Sequence, residues 1–105
     1  MLIKKGVKMN LAIFLDNLVC RRTQANGDVQ YIFRFDNGYG ASLVTCNGYR
    51  IAPLRFYSDN LDYNNLRIGN DLNSDASIDW STSVSPTTSY GTNNILDALQ
   101  TISNL

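Results

Sequence analysis

The sequence predicts an α+β fold that consists of an N-terminal helix, a four-stranded antiparallel β-meander, a polar middle segment with short strands, and a C-terminal helix. Three Asn-Gly pairs, spaced eleven and ten residues apart, predict the meander. Apolar residues at helical spacing on either side of it predict the two helices. A length of 105 residues suits a single domain with one modest core.

The N-terminal helix is expected because Leu11, Phe14, Leu15 and Leu18 recur at helical spacing. Asn10 stands directly before them, and asparagine is a favoured N-cap. A helix with this pattern has one apolar side, which we expect to lie across the sheet.

The first eight residues hold all three lysines of the chain, Lys4, Lys5 and Lys8. The codons for Lys4 to Met9 can form a purine-rich stretch a few nucleotides before an ATG, which is the form of a bacterial ribosome-binding site. We therefore expect residues 9–105 to form a single globular domain and residues 1–8 to be a translated leader. The alternative is a basic N-terminal arm.

The predicted strands lie at 19–25, 28–36, 39–46 and 49–57, joined by Asn26-Gly27, Asn37-Gly38 and Asn47-Gly48. A two-residue type I′ turn needs positive φ at both central residues, which Asn tolerates and Gly adopts freely. Such turns would place Phe33 opposite Ser42 and Tyr31 opposite Val44, because the turn length determines the register.

That register divides the strands into a core face and an outer face. The core face would carry Val29, Tyr31, Phe33, Phe35, Val44, Cys46, Tyr49 and Ile51. The outer face would carry Arg21, Thr23, Gln30, Ile32, Arg34, Tyr39, Ala41, Leu43, Thr45, Arg50 and Leu54. Pro53 cannot donate to a ladder, so the fourth strand is expected to be an edge at that point.

The middle segment, residues 58–92, is rich in Ser, Asn, Asp and Thr, and short strands are expected at 65–69 and 77–84. The C-terminal helix is expected from apolar residues at helical spacing, with Thr92 or Asn93 as its N-cap. Those apolar residues are Ile95, Leu96, Leu99, Ile102 and Leu105. The predicted core of the whole domain comprises Val29, Tyr31, Phe33, Phe35, Val44, Ile51, Leu96 and Leu99.

The stretch FRFDNGYGASLV is the most specific motif in the chain. It resembles a hairpin motif in small uncharacterised proteins from phages and prophages of Gram-positive bacteria, and the likeness covers about the central third of the chain. The matching residues are Phe33, Phe35, Asn37, Gly38, Tyr39, Gly40, Ala41, Ser42 and Val44. The resemblance implies no activity and no catalytic residue. The structural interpretation is a tight turn, followed at Gly40 by a bulky side chain or close backbone packed above the strand.

Asp71, Asn73, Asp75, Ser77 and Asp79 alternate in a pattern typical of a calcium-binding loop. Ala76 and Thr82 stand where such a loop needs Gly and Glu, so a solvated polar loop is the favoured interpretation. No other metal or cofactor site is expected.

The cysteines Cys20 and Cys46 are expected to be two buried free thiols, because they lie on the first and third predicted strands and well offset from each other.

Catalysis is not expected. The chain contains no His and no Glu, and it has no Lys after Met9, so the usual general acids and bases are missing. A cysteine nucleophile would lack an imidazole partner. The sequence carries no phosphate loop, no zinc spacing and no dinucleotide fingerprint.

Charge and hydropathy restrict the partners. From Met9 onward six Arg stand against nine Asp, a net charge of −3, which is unlike the basic surface of most nucleic-acid binders. The longest apolar stretch, LAIFLDNLV, is interrupted by Asp16 and is too short to span a membrane. We therefore expect a protein without a membrane anchor, and the resemblance to phage and prophage proteins implies the cytoplasm of a bacterial host cell.

These features predict a small phage or mobile-element accessory protein that acts by binding a host or phage protein, most concretely an inhibitor of a bacterial defence system of the anti-CRISPR type. One alternative is a virion or structural protein. Another is a single-stranded nucleic-acid binder that uses the outer sheet face. The candidate partner contacts are Arg34, Tyr39, Arg50, Tyr57, Tyr63, Arg67 and Trp80. Trp80 and the tyrosines could instead close the core.

Overall fold

The computed structural model describes residues 14–45, 49–69, 74–77, 88–90 and 92–105. In these ranges seven strands form one sheet, and one α-helix packs against it. The strands are β1 (Leu18–Thr23), β2 (Val29–Arg34), β3 (Tyr39–Thr45), β4 (Tyr49–Phe56), β5 (Ile68–Gly69), β6 (Ala76–Ser77) and β7 (Thr88–Tyr90). The helix α1 is Thr92–Ser103, and short 3-10 turns occupy Leu15–Asn17 and Tyr63–Asn65.

The four long strands form the predicted antiparallel meander, in the order β1-β2-β3-β4. The outer side of β4 pairs with β7 near its start and with β6 near its end, and β5 pairs in parallel with β6. Pro53 lies between those two pairings. No described strand pairs with it on that side, as expected for a residue without an N–H group.

The first two hairpin loops are one residue longer than predicted. At the β1–β2 loop, Gln24 N–H donates to the Asp28 carbonyl at 2.7 Å, and Gly27 N–H donates to the Gln24 carbonyl at 2.9 Å. Ala25, Asn26 and Gly27 therefore form the loop, with Gly27 in the left-handed region at φ 93°. This arrangement is typical of a three-residue loop that ends in a glycine bulge.

The β2–β3 loop is built in the same way. Phe35 N–H donates to the Tyr39 carbonyl at 2.8 Å, and Gly38 N–H donates to the Phe35 carbonyl at 3.3 Å. Gly38 has a φ of 84°. The prediction of two-residue turns is therefore wrong at both described loops, and Asn47-Gly48 lies outside the described residues.

The longer loop shifts the β2–β3 register by one residue. Phe33 pairs with Ala41 rather than Ser42, and Tyr31 pairs with Leu43 rather than Val44. A shift of one residue moves every side chain of a strand to the other face. The predicted faces of β3 are therefore exchanged. The prediction that Val44 belongs to the same core as Phe33 is wrong.

We call the side of the sheet against which α1 packs the helix face. Its buried cluster comprises Phe14, Phe33, Phe35, Ala41, Leu43, Ile51, Ile95, Ala98, Leu99 and Ile102. The half-buried side chains of Leu18, Tyr31, Tyr39 and Leu96 pack against it. The C-terminal helix and the core positions Phe33, Phe35, Ile51 and Leu99 are thus confirmed, whereas Val29 is only half-buried and Leu105 is exposed.

The opposite side of the sheet, which we call the loop face, is also partly covered. Its buried cluster comprises Cys20, Ile32, Leu54, Phe56, Leu66 and Ala76, with Val19, Leu61, Tyr63 and Ile68 packed around it. The chain between β4 and β6 supplies the cover. A meander that was expected to have one core face therefore has apolar clusters on both.

A β-bulge in β1 distributes its side chains between these faces. Leu18 pairs with Phe33 and Cys20 pairs with Ile32, so Val19 is the extra residue. Leu18 therefore reaches the helix face and Cys20 the loop face. Cys20 is a buried free thiol, as predicted, although it lies on the face opposite Phe33. Cys46 lies outside the described residues.

The residues that the structure describes do not show the predicted N-terminal helix. After Phe14 the chain makes only the 3-10 turn, and β1 begins at Leu18. Phe14 is buried, with its ring 5.7 Å from that of Phe35, whereas Leu15 is exposed. Pairing of Leu18 with β2 replaces the helical hydrogen bonds that the apolar spacing suggested. Asn10 and Leu11 lie outside the described residues.

The register can be tested with neighbouring residues of β3. Leu43→Ala should cost about 2–5 kcal/mol of unfolding free energy, because Leu43 is 5% exposed. Val44→Ala should cost about 1 kcal/mol, because a half-buried valine loses only part of the contribution of its methyl groups. Urea denaturation measures both values. A larger loss for Val44→Ala than for Leu43→Ala would contradict this register and favour the two-residue turn.

Candidate protein-binding surface

The residues predicted to contact a partner do not share one sheet face. Arg34 and Arg50 lie on the loop face, because they pair with Gly40 and Val44. Tyr39 lies on the helix face, where it pairs with Arg55. The predicted group of Arg34, Tyr39 and Arg50 on one outer face is therefore wrong, and the extra loop residue is the reason.

Arg34 holds the chain after β4 against the sheet. Its Nη1 donates to the Tyr63 hydroxyl at 2.7 Å, and its Nη2 donates to Asp59 Oδ1 at 3.1 Å. The guanidinium carbon lies 4.9 Å from the centre of the Phe56 ring. Only 18% of the Arg34 side chain is exposed. Arg34 therefore stabilises the fold through both the charge and the flat surface of its guanidinium group.

Gly40 leaves the space that this arrangement needs. A Cβ at Gly40 would overlap the Phe33 carbonyl oxygen and the Phe56 ring. The interpretation of Gly40 as a point of close packing is therefore confirmed. Tyr63 completes the group, since its ring meets the Phe56 ring edge-on at 6.2 Å between centres.

A polar ladder crosses the loop face beside this cluster. Arg22 Nε donates to Gln30 Oε1 at 2.7 Å, and Gln30 Nε2 donates to Ser42 Oγ at 2.7 Å. Arg22 Nη1 also donates to the Leu66 carbonyl at 2.9 Å. Gln30 and Ser42 are buried. The ladder satisfies polar groups on a covered face and ties β1 to the chain above it.

The remaining predicted contacts are dispersed. The Tyr39 ring lies 5.3 Å from the Arg55 guanidinium carbon, and its hydroxyl accepts a hydrogen bond from Arg55 Nη1 at 3.1 Å. Arg50, Tyr57 and Arg67 are exposed. Trp80 lies outside the described residues, so the structure does not bring the predicted set together.

The proposed calcium loop falls mostly outside the described residues, since Asp71, Asn73 and Asp79 are not among them. The Asp75 carboxylate accepts a hydrogen bond from the Arg67 backbone N–H at 3.4 Å. In the part of the chain that the structure describes, no group of three His, Cys, Asp or Glu residues could hold a metal ion.

The helix face carries an apolar groove beside the core. The groove has a volume of about 210 Å³. It is lined by Leu15, Leu18, Tyr31, Phe33, Leu43, Thr45 and Tyr49. Leu15 is 59% exposed and Tyr49 is 37% exposed, so the apolar lining reaches solvent.

The wall that carries Leu15 is fixed by its neighbours in the 3-10 turn. Asn17 Nδ2 donates to the Arg34 carbonyl at 3.1 Å, which ties the turn to the end of β2. Phe14, one residue before Leu15, is packed in the helix-face core. Leu15 therefore projects from a supported turn, and the groove is preformed.

A positive charge stands beside the groove. Arg21 pairs with Tyr31 across β1 and β2, and its guanidinium carbon lies 5.8 Å from the centre of the Tyr31 ring. Arg21 is exposed, and the described residues include no salt bridge to it. The surface thus combines an apolar hollow with an adjacent guanidinium group.

Sequence reasoning missed this groove for two reasons. The predicted register placed Leu43 and Thr45 on the outer face, although they line the hollow with Tyr31 and Phe33. The predicted helix placed Leu15 on a buried side, although it is exposed. The correct loop length would have brought the four strand residues to one face.

No protein-family model, no curated protein and no solved structure matches the chain. None of the described helices is long and apolar enough to cross a membrane.

The structural role of Arg34 can be tested against Arg50. Arg34→Lys should cost about 1–3 kcal/mol of unfolding free energy, because an ammonium group cannot reproduce the forked donors and the flat contact with Phe56. Arg50→Lys should change stability by less than about 0.5 kcal/mol, because Arg50 is exposed. Thermal melts of both variants measure the difference, and equal melting temperatures would contradict this role.

Proposed function

We propose that this protein is a small phage or mobile-element accessory protein that acts by binding a protein partner through the apolar groove. The observation that carries the proposal is the position of the exposed apolar side chains. Among the described residues, the large exposed hydrophobic side chains are Leu15, Tyr49, Tyr57 and Leu105, and two of the four line this groove. A cluster of exposed apolar surface marks an interaction site more often than isolated residues do.

The size of the groove suits one side chain of a partner. A cavity of about 150 Å³ in another protein is large enough to hold benzene. The groove here has about 210 Å³, so it can take a phenylalanine, leucine or similar anchor. Insertion of such an anchor into a desolvated pocket supplies much of the energy at many interfaces.

The adjacent charge favours a partner that places a carboxylate beside its apolar anchor. The Tyr31 ring supports the Arg21 guanidinium, which reduces the conformational entropy lost when a carboxylate binds to it. A pair at the rim of an interface mainly aids orientation and association rate, while the apolar anchor supplies affinity. We therefore expect an exposed partner segment with an aromatic or aliphatic residue and a nearby Asp or Glu.

The most concrete form of the proposal is inhibition of a bacterial defence system, of the anti-CRISPR type. The resemblance of the Phe33–Val44 hairpin to proteins of phages and prophages supports this setting. Inhibition by occupation of a surface requires shape and affinity, and it requires no general acid or base. The short length and the absence of His and Glu are compatible with that mode of action.

The nucleic-acid alternative has less support from the geometry. It relied on one outer face that carries Tyr39 together with Arg21, Arg34 and Arg50. Tyr39 and Arg21 lie on the helix face, opposite Arg34 and Arg50, and Arg34 is engaged with Tyr63 and Asp59. A surface on which bases stack on an aromatic ring between cations is not formed by these residues.

The groove can be tested with two exposed leucines. Leu15→Ala should weaken partner binding by about tenfold or more, because it removes one wall of the pocket. Leu105→Ala is the matched control, since Leu105 is 43% exposed and lies outside the groove. The partner is first recovered with tagged protein from infected bacteria that carry active defences, and its affinity is then measured by calorimetry.

In the same cells, the unmodified protein should restore plating of a phage that the defence excludes, and Leu15→Ala should lose this effect while Leu105→Ala keeps it. Equal behaviour of the two variants would exclude the groove as the binding site. Recovery of the protein in purified phage particles, with no relief of any defence, would instead indicate a virion component.

A further inference from the structure

Asn37 connects the β2–β3 loop to the end of helix α1. Its Nδ2 donates to the Ile102 carbonyl at 2.9 Å and to the Ser103 carbonyl at 3.2 Å. The two residues lie 65 and 66 positions away in the chain. The side chain of a tight loop thus reaches the last turn of the helix that covers the core.

The carbonyls that Asn37 meets need donors from outside the helix. The last four carbonyls of an α-helix have no partner within it, and they form the negative end of the helix dipole. A basic side chain often stabilises that end, but α1 has none in its last turn. Leu105 N–H donates to the Ile102 carbonyl at 3.2 Å. The amide group of Asn37 supplies further donors and acts as a cap from a distant part of the chain.

The β1–β2 loop contains a natural control. Asn26 precedes Gly27 as Asn37 precedes Gly38, and both glycines have positive φ. The side-chain oxygen of Asn26 accepts from Asp28 N–H at 3.0 Å, as that of Asn37 accepts from Tyr39 N–H at 2.9 Å. The Nδ2 group of Asn26, however, donates to Asp28 Oδ2 within its own loop. The two loops thus differ in what the Nδ2 group binds, which is the helix end at Asn37 and the loop's own Asp28 at Asn26.

We propose that Asn37 is a deamidation site whose modification releases helix α1 from the sheet. In this reaction the backbone nitrogen of Gly38 loses its proton and attacks the side-chain carbonyl carbon of Asn37. The bond to Nδ2 breaks, ammonia leaves, and a five-membered succinimide forms. Water then opens the ring to aspartate or isoaspartate, so one water is consumed for each ammonia released. Glycine favours the attack because it has no side chain to obstruct the nitrogen.

The docked helix protects Asn37 from this reaction. Attack requires the side chain to rotate, but its oxygen and nitrogen are held by the Tyr39 N–H and the two helix carbonyls. Gly38 N–H is itself engaged with the Phe35 carbonyl at 3.3 Å. The reaction therefore proceeds through local opening of the loop and the helix end.

The product opposes a return to the docked state. A carboxylate at position 37 has no hydrogen to donate to Ile102 or Ser103, and it places a negative charge at the negative end of the helix dipole. The helix-face core loses its cover if α1 does not dock, because Leu99 and Ile102 are fully buried there. Deamidation of Asn37 thus prevents the end of α1 from docking again after a transient local opening.

The proposal is tested first on the unmodified protein. It is incubated at mildly alkaline pH, and the fraction of aspartate and isoaspartate at Asn26 and Asn37 is measured by peptide mapping with mass spectrometry. In the folded protein Asn37 should deamidate about tenfold or more slowly than Asn26, because Asn26 is held only within its own exposed loop, whereas Asn37 must also be freed from the end of α1. In denaturant the two rates should agree within about twofold, because both precede glycine. Equal rates in the folded protein would overturn the proposal.

The consequence for the helix is tested with variants. Asn37→Asp should lower the melting temperature by about 5–10 °C, whereas Asn26→Asp should lower it by less than about 2 °C. Asn37→Ala should fall between them, because it removes the donors without adding a charge. Equal melting temperatures for Asn37→Asp and Asn26→Asp would overturn the proposal. If Asn37→Asp does not fold, the deamidation rates of the unmodified protein decide.

Discussion

The structure depends on the length of its hairpin loops. At each described loop, a glycine with positive φ determines that length. Gly27 and Gly38 close loops of three residues, with φ values of 93° and 84°. That length places Leu43 opposite Tyr31 and so assigns the side chains of β3 to the two faces of the sheet. The helix-face core, the cluster around Arg34 and the apolar groove all follow from this assignment. A loop shorter by one residue would bring Val44 to the helix and expel Leu43 from the core.

Sequence reasoning predicted the elements that local patterns determine and missed those that depend on pairing. The three Asn-Gly pairs and the helical spacing from Ile95 onward were sufficient to predict the meander and the C-terminal helix. The register was not predictable, because Asn-Gly occurs both as a complete two-residue turn and at the end of a three-residue loop. Phe14 and Leu18 have the spacing of a helix face, yet pairing of Leu18 with Phe33 draws the chain into a strand. Such tertiary effects regularly override local propensity.

Those limits also explain why the candidate site in the structure differs from the one that the sequence predicted. Arginine and tyrosine are common at interfaces, which is why Arg34 and Tyr39 were predicted as partner contacts from residue type alone. In the fold, each of them is already bound to another side chain, Arg34 to Tyr63 and Tyr39 to Arg55. The groove, by contrast, is lined mainly by apolar residues, of which Leu15 and Tyr49 are exposed and the others are half-buried or buried. No composition rule identifies an exposed leucine such as Leu15, because its surroundings come from four different strands and a turn.

The bulge at Val19 has a consequence for how the molecule behaves among its own copies. In the described part of the chain β1 is the edge of the sheet, and its outer backbone groups have no neighbouring strand. Open edges of this kind can recruit a strand from another molecule and start aggregation. The bulge disturbs the regular spacing of those groups, and Arg21 and Arg22 would place like charges against the same residues of a second copy. The same irregularity that sends Cys20 and Leu18 to opposite faces thus also disfavours regular pairing of this edge with a second copy.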